Sequence, residues 1–179
     1  MKIAILQVGK IEQDTLESIR ENLARAFPKT EIVVLKNLIS LAPDLYDSTR
    51  KQYESSLLLM LIREYARKTE ADKILGITNA DLYVPQLNFV FGEAESPGKA
   101  AIVSLHRLRP ESYGDQTNET LFLKRATKEA IHETGHTFGL PHCPDSSCVM
   151  SFSNTIHAVD NKKQEFCPKC STRLFRVIR

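Results

Sequence analysis

The chain has no run approaching the ~20 apolar residues that a membrane span requires. Its densest stretch, Leu57 to Ile62, is flanked by Glu54 and Arg63, so no membrane partner is expected. A secretory signal is also lacking, because the apolar stretch Ile3 to Val8 is broken by Gln7 and followed at once by charge. A cytoplasmic location is therefore expected, where thiols stay reduced, and the 4 cysteines read as metal ligands or free thiols rather than as disulfides. Charge of one sign is missing too. The 24 Lys and Arg against 22 Asp and Glu leave a formal +2, which by itself points to neither nucleic acid nor a membrane surface. Internal repeats, low-complexity segments and clear linkers are absent from the sequence.

What is present is a composition of 42% hydrophobic and 26% charged residues, near the globular average and unlike disordered, collagen-like or rod-forming chains. A length of 179 residues suits one domain with its own core. The expected organisation is a single domain over 1–179, with an α/β part over 1–139 and a C-terminal part over 140–179.

Up to about residue 105, strand-like runs alternate with helical patterns, the mark of an α/β layer. Lys2 to Val8 reads as a strand, Leu16, Ile19, Leu23 and Phe27 fall at helical spacing, and Glu31 to Leu35 reads as a second strand. Gln52 to Arg67 is expected to be a well-buried helix and Lys73 to Thr78 a third strand. Asn88 to Phe91 and Ala100 to Leu105 are joined by GEAESPGK, too short for a crossover helix, so they are expected to be antiparallel neighbours. The result is a mixed, twisted sheet of about five strands with an antiparallel edge. A long helix is expected from Glu119 to Phe138, stopped by Gly139 and Pro141.

The five residues His132-Glu133-Thr134-Gly135-His136 lie on that helix. Residues four apart point the same way, so two imidazoles can share one ion. The short pattern alone is weak, since a histidine on a helix is more often a surface or core residue than a ligand. Steps of three and four back from the pair reach Lys128, Glu129 and Arg125, whereas Phe122, Ala126 and Ala130 mark an apolar stripe. The pair is therefore expected on a polar face open to a cleft. His142 follows six residues after His136, about 240° of rotation and about 9 Å of rise on an unbroken helix. It can join the pair only if the helix stops, and Gly139 and Pro141 supply that stop. Three neutral nitrogen ligands with one position left for water is a catalytic arrangement for zinc. Zinc lowers the pKa of such a water towards about 7. Glu133 is then expected to take its proton as it attacks a peptide carbonyl, and to return one to the leaving amine.

Cys143-x4-Cys148 and Cys167-x2-Cys170 form two pairs with the spacing of a closed, structural zinc site. Because Cys143 directly follows His142, this second metal would anchor the loop that presents the third histidine. His106 and His157 have no partner pattern and read as surface or structural residues. Met150, by itself, reads as a core gap-filler.

HETGHTFGLPHC, then CVM, then CPKC resembles the archaemetzincin family of metzincin metallopeptidases over residues 132 to 170, and the upstream order of elements is similar to the family fold. The resemblance implies a zinc peptidase with two zinc ions per chain. His132, His136 and His142 would hold the catalytic ion, with Glu133 catalytic; Cys143, Cys148, Cys167 and Cys170 would hold the second; and Met150 would form a tight turn beneath the site. It also implies an antiparallel edge strand that receives extended substrate, placed by position at Asn88, Phe89, Val90 and Phe91. The spacing from Met150 to Cys167 is about one residue shorter than the family pattern, which is assigned to loop length, and no propeptide or latency cysteine is expected.

The expected partner is a peptide or polypeptide, and the expected state a monomer. One rival is a catalytically weak or inactive zinc protein that only binds peptides. A second is nucleic-acid binding through Lys162, Lys163, Lys169, Arg173, Arg176 and Arg179, but no aromatic residues interleave these, and a solvated basic face is the simpler account. The specificity pocket is expected from loops 79 to 87 and 107 to 117, with Tyr83 and Tyr113 as weak candidates for transition-state helpers.

Overall fold

A computed structural model describes residues 1–178. β1 (Lys2–Val8) is buried on both faces from Ile3 to Leu6, the pattern of a central strand in a parallel sheet. α1 (Gln13–Ala26) turns Leu16, Ile19 and Leu23 inward, joined by Phe27 just past its end. β2 (Glu31–Ile39) then runs parallel to β1, starting with Lys2 opposite Glu31. It continues past the expected Leu35, through a register shift opposite Ile5 and Gln7. As an outer strand it tolerates the exposed Lys36 and Asn37.

The expected helix over Gln52 to Arg67 divides in two. A small sheet takes β3 (Tyr46–Asp47), β4 (Gln52–Glu54) and later β6 (Leu82–Tyr83), and α2 starts only at Ser55, spanning Ser55–Arg67. Gln52 is drawn out of the helix because its amide donates to Asp81 Oδ2 and to the Asn88 carbonyl, both at 3.0 Å. α2 is also less buried than expected: Leu58, Leu59, Ile62 and Ala66 face the sheet, while Leu57, Met60 and Leu61 are exposed.

β5 (Lys73–Thr78) and β8 (Ala100–Ser104) extend the parallel sheet, and β7 (Gly92–Ala94) closes it antiparallel to β8, giving the order β2-β1-β5-β8-β7. The edge strand therefore lies inside the GEAESPGK stretch and not at Asn88–Phe91. That earlier run looks strand-like because its side chains alternate between two cores. Phe89 and Phe91 join the core beneath α1 and α3, while Val90 joins the core beneath α2 and bridges to Leu82.

α3 (Glu119–Thr137) starts at Asn118, whose side chain accepts from the Leu121 N–H at 3.0 Å, a cap worth about 1 kcal/mol. Phe122, Ala126 and Ala130 form the expected apolar stripe against the sheet. The helix ends at Gly139, whose φ of 81° is left-handed and which donates to the His136 carbonyl at 2.8 Å. α4 (Ile156–Asn161) and α5 (Pro168–Val177) complete the chain and dock Ile156, Val159, Cys170 and Leu174 on the core that α1 shares with α3. Among the described residues, no helix is long and apolar enough to cross a membrane.

Candidate active site

Three imidazoles converge at the C-terminal end of α3. The Nε2 atoms of His132 and His136 lie 3.0 Å apart. Each ring's Nδ1 pairs with a backbone carbonyl, His132 with Val149 at 2.8 Å and His136 with Leu140 at 2.7 Å. A carbonyl accepts only, so Nδ1 carries the hydrogen and Nε2 keeps its lone pair. The turn at Gly139 brings the ring of His142 to 5.4 Å from that of His132 and 4.8 Å from that of His136, and one nitrogen from each of the three lies within 4.8 Å of the others. Two lone pairs facing each other at 3.0 Å repel unless a cation sits between them, so this donor set fits a metal ion. Burial pushes His132 well below the ordinary imidazole range, helped by the ammonium of Lys162, and burial also lowers His136 and His142. Neutral rings with free Nε2 atoms can ligate zinc.

Glu133 projects from the same helix at 6% exposure. Burial pushes its carboxyl well above the usual carboxylate range, with Glu129 adding to the effect and Lys162 opposing it. It lines a cavity of about 620 Å³ with the three histidines, Phe152 and the segment from Leu87 to Ala94. Asn88, Phe89, Val90 and Phe91 thus reach the site as cavity wall, just before the edge strand. Of the expected loops 79 to 87 and 107 to 117, only Leu87 lines it. Tyr83 is turned towards Asp47 and lies under the guanidinium of Arg50, and the Tyr113 hydroxyl donates to the Arg107 carbonyl. His106 and His157 are exposed on the surface. The wall nearest His142 is Phe152, 5.0 Å ring to ring, a residue with no signal of its own in the sequence.

The four cysteine sulfurs also lie within 4.8 Å of one another, with Cys143 and Cys167 at 3.7 Å, and all four are free thiols. The backbone N–H of Cys170 lowers Cys167 to about 7, whereas burial raises Cys148 and Cys170. Four thiols at this spacing could hold a closed tetrahedral ion. The Cys143 N–H donates to the Met150 carbonyl at 2.9 Å, tying the start of this cluster to a fully buried methionine beneath Gly135.

The polar face of α3 opens to the cavity at Glu129, His132, Glu133 and His136, as expected, but towards the helix start it is sealed. Arg125 pairs both arms with Asp160 at 2.7 Å, and Lys128 donates to the carbonyls of Val159 and Asp160 at 2.9 Å. Glu129 pairs with Lys162 at 2.8 Å, both almost wholly buried. Lys162 therefore does not belong to a solvated basic face, and Arg179 of that set lies outside the described residues. A charged face at three- and four-residue spacing was visible; its partner segment, residues 159 to 162, was not.

The model of peptidase family M54 matches residues 3–176. An archaemetzincin of Methanocaldococcus jannaschii is 42% identical over 174 residues, covering 97% of this chain and 93% of the relative. An archaemetzincin of Thermococcus kodakarensis is 38% identical, covering 97% and 95%. The crystal structure of an archaemetzincin from Methanopyrus kandleri superposes with a TM-score of 0.84 at 38% identity, covering 99% of this chain and 95% of the other. That of a zinc-dependent peptidase from Methanocorpusculum labreanum gives 0.86 at 29% identity, covering 96% and 99%.

Proposed function

The chain belongs to peptidase family M54, and on that premise we propose that His132, His136 and His142 hold a catalytic zinc ion and that Glu133 is the general base of peptide-bond hydrolysis. Membership makes the chain a zinc metallopeptidase. The observation that carries the residue assignment is the convergence of three imidazoles, two of which, His132 and His136, have their Nδ1 atoms occupied by carbonyls. Zinc, when bound there, supplies a Lewis acid that polarises a carbonyl and acidifies water.

The rest falls to the chain's own groups. Glu133, adjacent to a ligand and walled by apolar residues, accepts the proton of the attacking water and delivers one to the departing amine. Its raised proton affinity suits both halves of that shuttle. The edge strand β7 leaves one side free to pair with an extended peptide. Cys143, Cys148, Cys167 and Cys170 hold a second, structural zinc, so that a loaded chain carries two ions. That second ion fixes the segment bearing His142 and Met150.

A mixture of diverse peptides, with cleavage read by mass spectrometry, tests the assignment. Glu133→Ala is expected to lose roughly 10²-fold or more in turnover while zinc content and peptide binding survive. Unchanged turnover in that variant would remove Glu133 from the chemistry.

A further inference from the structure

The edge strand carries a glycine where Glu133 passes beneath it. A Cβ at Gly92 would lie 2.6 Å from Glu133 Cγ, 2.8 Å from Glu133 Cδ and 2.6 Å from the Ile102 carbonyl oxygen. Ordinary contact begins at 3.4 Å, so only a bare backbone fits against Glu133 at this distance. Successive strand residues point to opposite faces, and the next residue, Glu93, which also borders the cavity, is tethered from behind the strand. Its carboxylate accepts from the Ser56 hydroxyl at 2.9 and 3.1 Å and from the Ser55 hydroxyl. Those serines open α2, which packs on the other face of the sheet.

We infer that Gly92, held from behind by the Glu93 tether to Ser55 and Ser56, is a positioning residue for Glu133. The inference rests on the general-base role proposed above. Glu133 has three side-chain torsions, and each wrong rotamer swings the carboxylate away from the histidine cluster. A wall of backbone in contact with Cγ and Cδ removes the rotamers that point through it. A methyl at position 92 would have to restore at least 3.4 Å from 2.6 Å, a displacement of about 0.8 Å. An error near 1 Å in the place of a catalytic group costs up to ~10²-fold in rate. The glycine is thus where the sheet edge and the active-site helix set each other's position.

The test uses the full chain loaded with zinc. In Gly92→Ala, kcat is expected to fall roughly 10²-fold with KM within about threefold, the pattern of a loss confined to the transition state. Zinc content is expected to stay unchanged, and a crystal structure of the variant to show the Glu133 carboxylate displaced. In a Glu133→Ala background, Gly92→Ala is expected to add no further loss, because the Glu133 atoms through which the methyl acts are gone and only the Ile102 carbonyl remains in its way. An equal loss in both backgrounds would show that the methyl acts through the strand and the Ile102 carbonyl, and would overturn the inference. Failure of the general-base reading is separable, since Glu133→Ala alone would then keep full turnover. Should Gly92→Ala not fold, Ser55→Ala with Ser56→Ala decides. A kcat lowered roughly 3- to 10-fold with KM and zinc unchanged supports the positioning role, and a wild-type kcat overturns it.

Discussion

The α/β part and the segment after Gly139 meet on one core but are located by different forces. β1, β5, β8 and the helix faces turned to the sheet pack through apolar side chains. That force is strong and non-directional, and it tolerates small shifts. The C-terminal segment adds Val149, Met150, Ile156, Val159 and Leu174 to the same core. Its register on α3 is set instead by Arg125 with Asp160, Lys128 with two carbonyls, Glu129 with Lys162, and four thiols. Directional contacts fix atoms to tenths of an ångström, and this is the segment that must bring His142 to the other two histidines.

The sharpest way to break that difference is to disable the thiol cluster. Cys170→Ser is expected to lower peptidase activity roughly 10²-fold or more, because a structural zinc site contributes its binding energy directly to folding. Limited proteolysis should then cut within residues 140 to 178 and spare the sheet, whose circular dichroism persists. Protection of 140 to 178 as complete as in the wild type would mean that the apolar contacts suffice to order the segment.

A smaller break attacks the ion pair. Lys162→Met leaves the Glu129 carboxylate buried without its counterion, at a cost of about 3–5 kcal/mol. Replacing both, Glu129→Met with Lys162→Met, should recover most of that stability in denaturant melts. If the double variant is no more stable than the single, the polar contact is intrinsically stabilising and not only a device for register. Smaller still is Gly135→Ala, which gains about 1 kcal/mol of helix propensity. Its methyl would meet Met150 Sδ at 2.6 Å, inside a fully packed site, and overpacking costs about 1–3 kcal/mol. The net expectation is a loss of about 0–2 kcal/mol, and a gain would show that the methionine turn is loosely packed.

The two regions were also legible to different degrees. β1, α1, β5, β8 and α3 follow from apolar periodicity, because each buries a continuous face. Asn88–Phe91 misled because its aromatic and branched residues serve two cores without joining the ladder, whereas β7, with the sequence GEA, has almost no strand character of its own. It pairs because β8 offers it an unoccupied side. In the C-terminal segment the ligand spacing of histidines and cysteines was readable, since Gly139 and Pro141 force the turn that His142 needs. The Glu129–Lys162 pair was not, because nothing local marks a lysine as buried when its partner lies 33 residues away by number. Phe152 was hidden for the same reason: cavity walls are set by tertiary neighbours.

Protonation separates the histidines from Glu133 by sign, with the smallest expected effect. In metal-free protein, burial holds His132, His136 and His142 below the ordinary 6.5. As pH falls through that value the unfolded chain takes up protons that the fold refuses, so stability drops. Glu133 runs the other way. Its folded carboxyl is raised above the ordinary 4.5, so on acidification towards that value the fold binds the proton first and gains stability. Wild-type metal-free protein should therefore lose stability less steeply between pH 6.5 and 5 than the histidines alone would dictate. Glu133→Gln removes the rising trend and should melt progressively lower across the same window, by roughly 2–4 °C for each kcal/mol lost in a chain of this size. Zinc-loaded protein should keep and steepen the histidine part of the trend, because ligated nitrogens refuse the protons that the unfolded chain takes up. Parallel melting curves for the metal-free wild type and Glu133→Gln would mean that Glu133 does not carry a raised pKa, and with it would go the fit of that residue to a two-way proton shuttle.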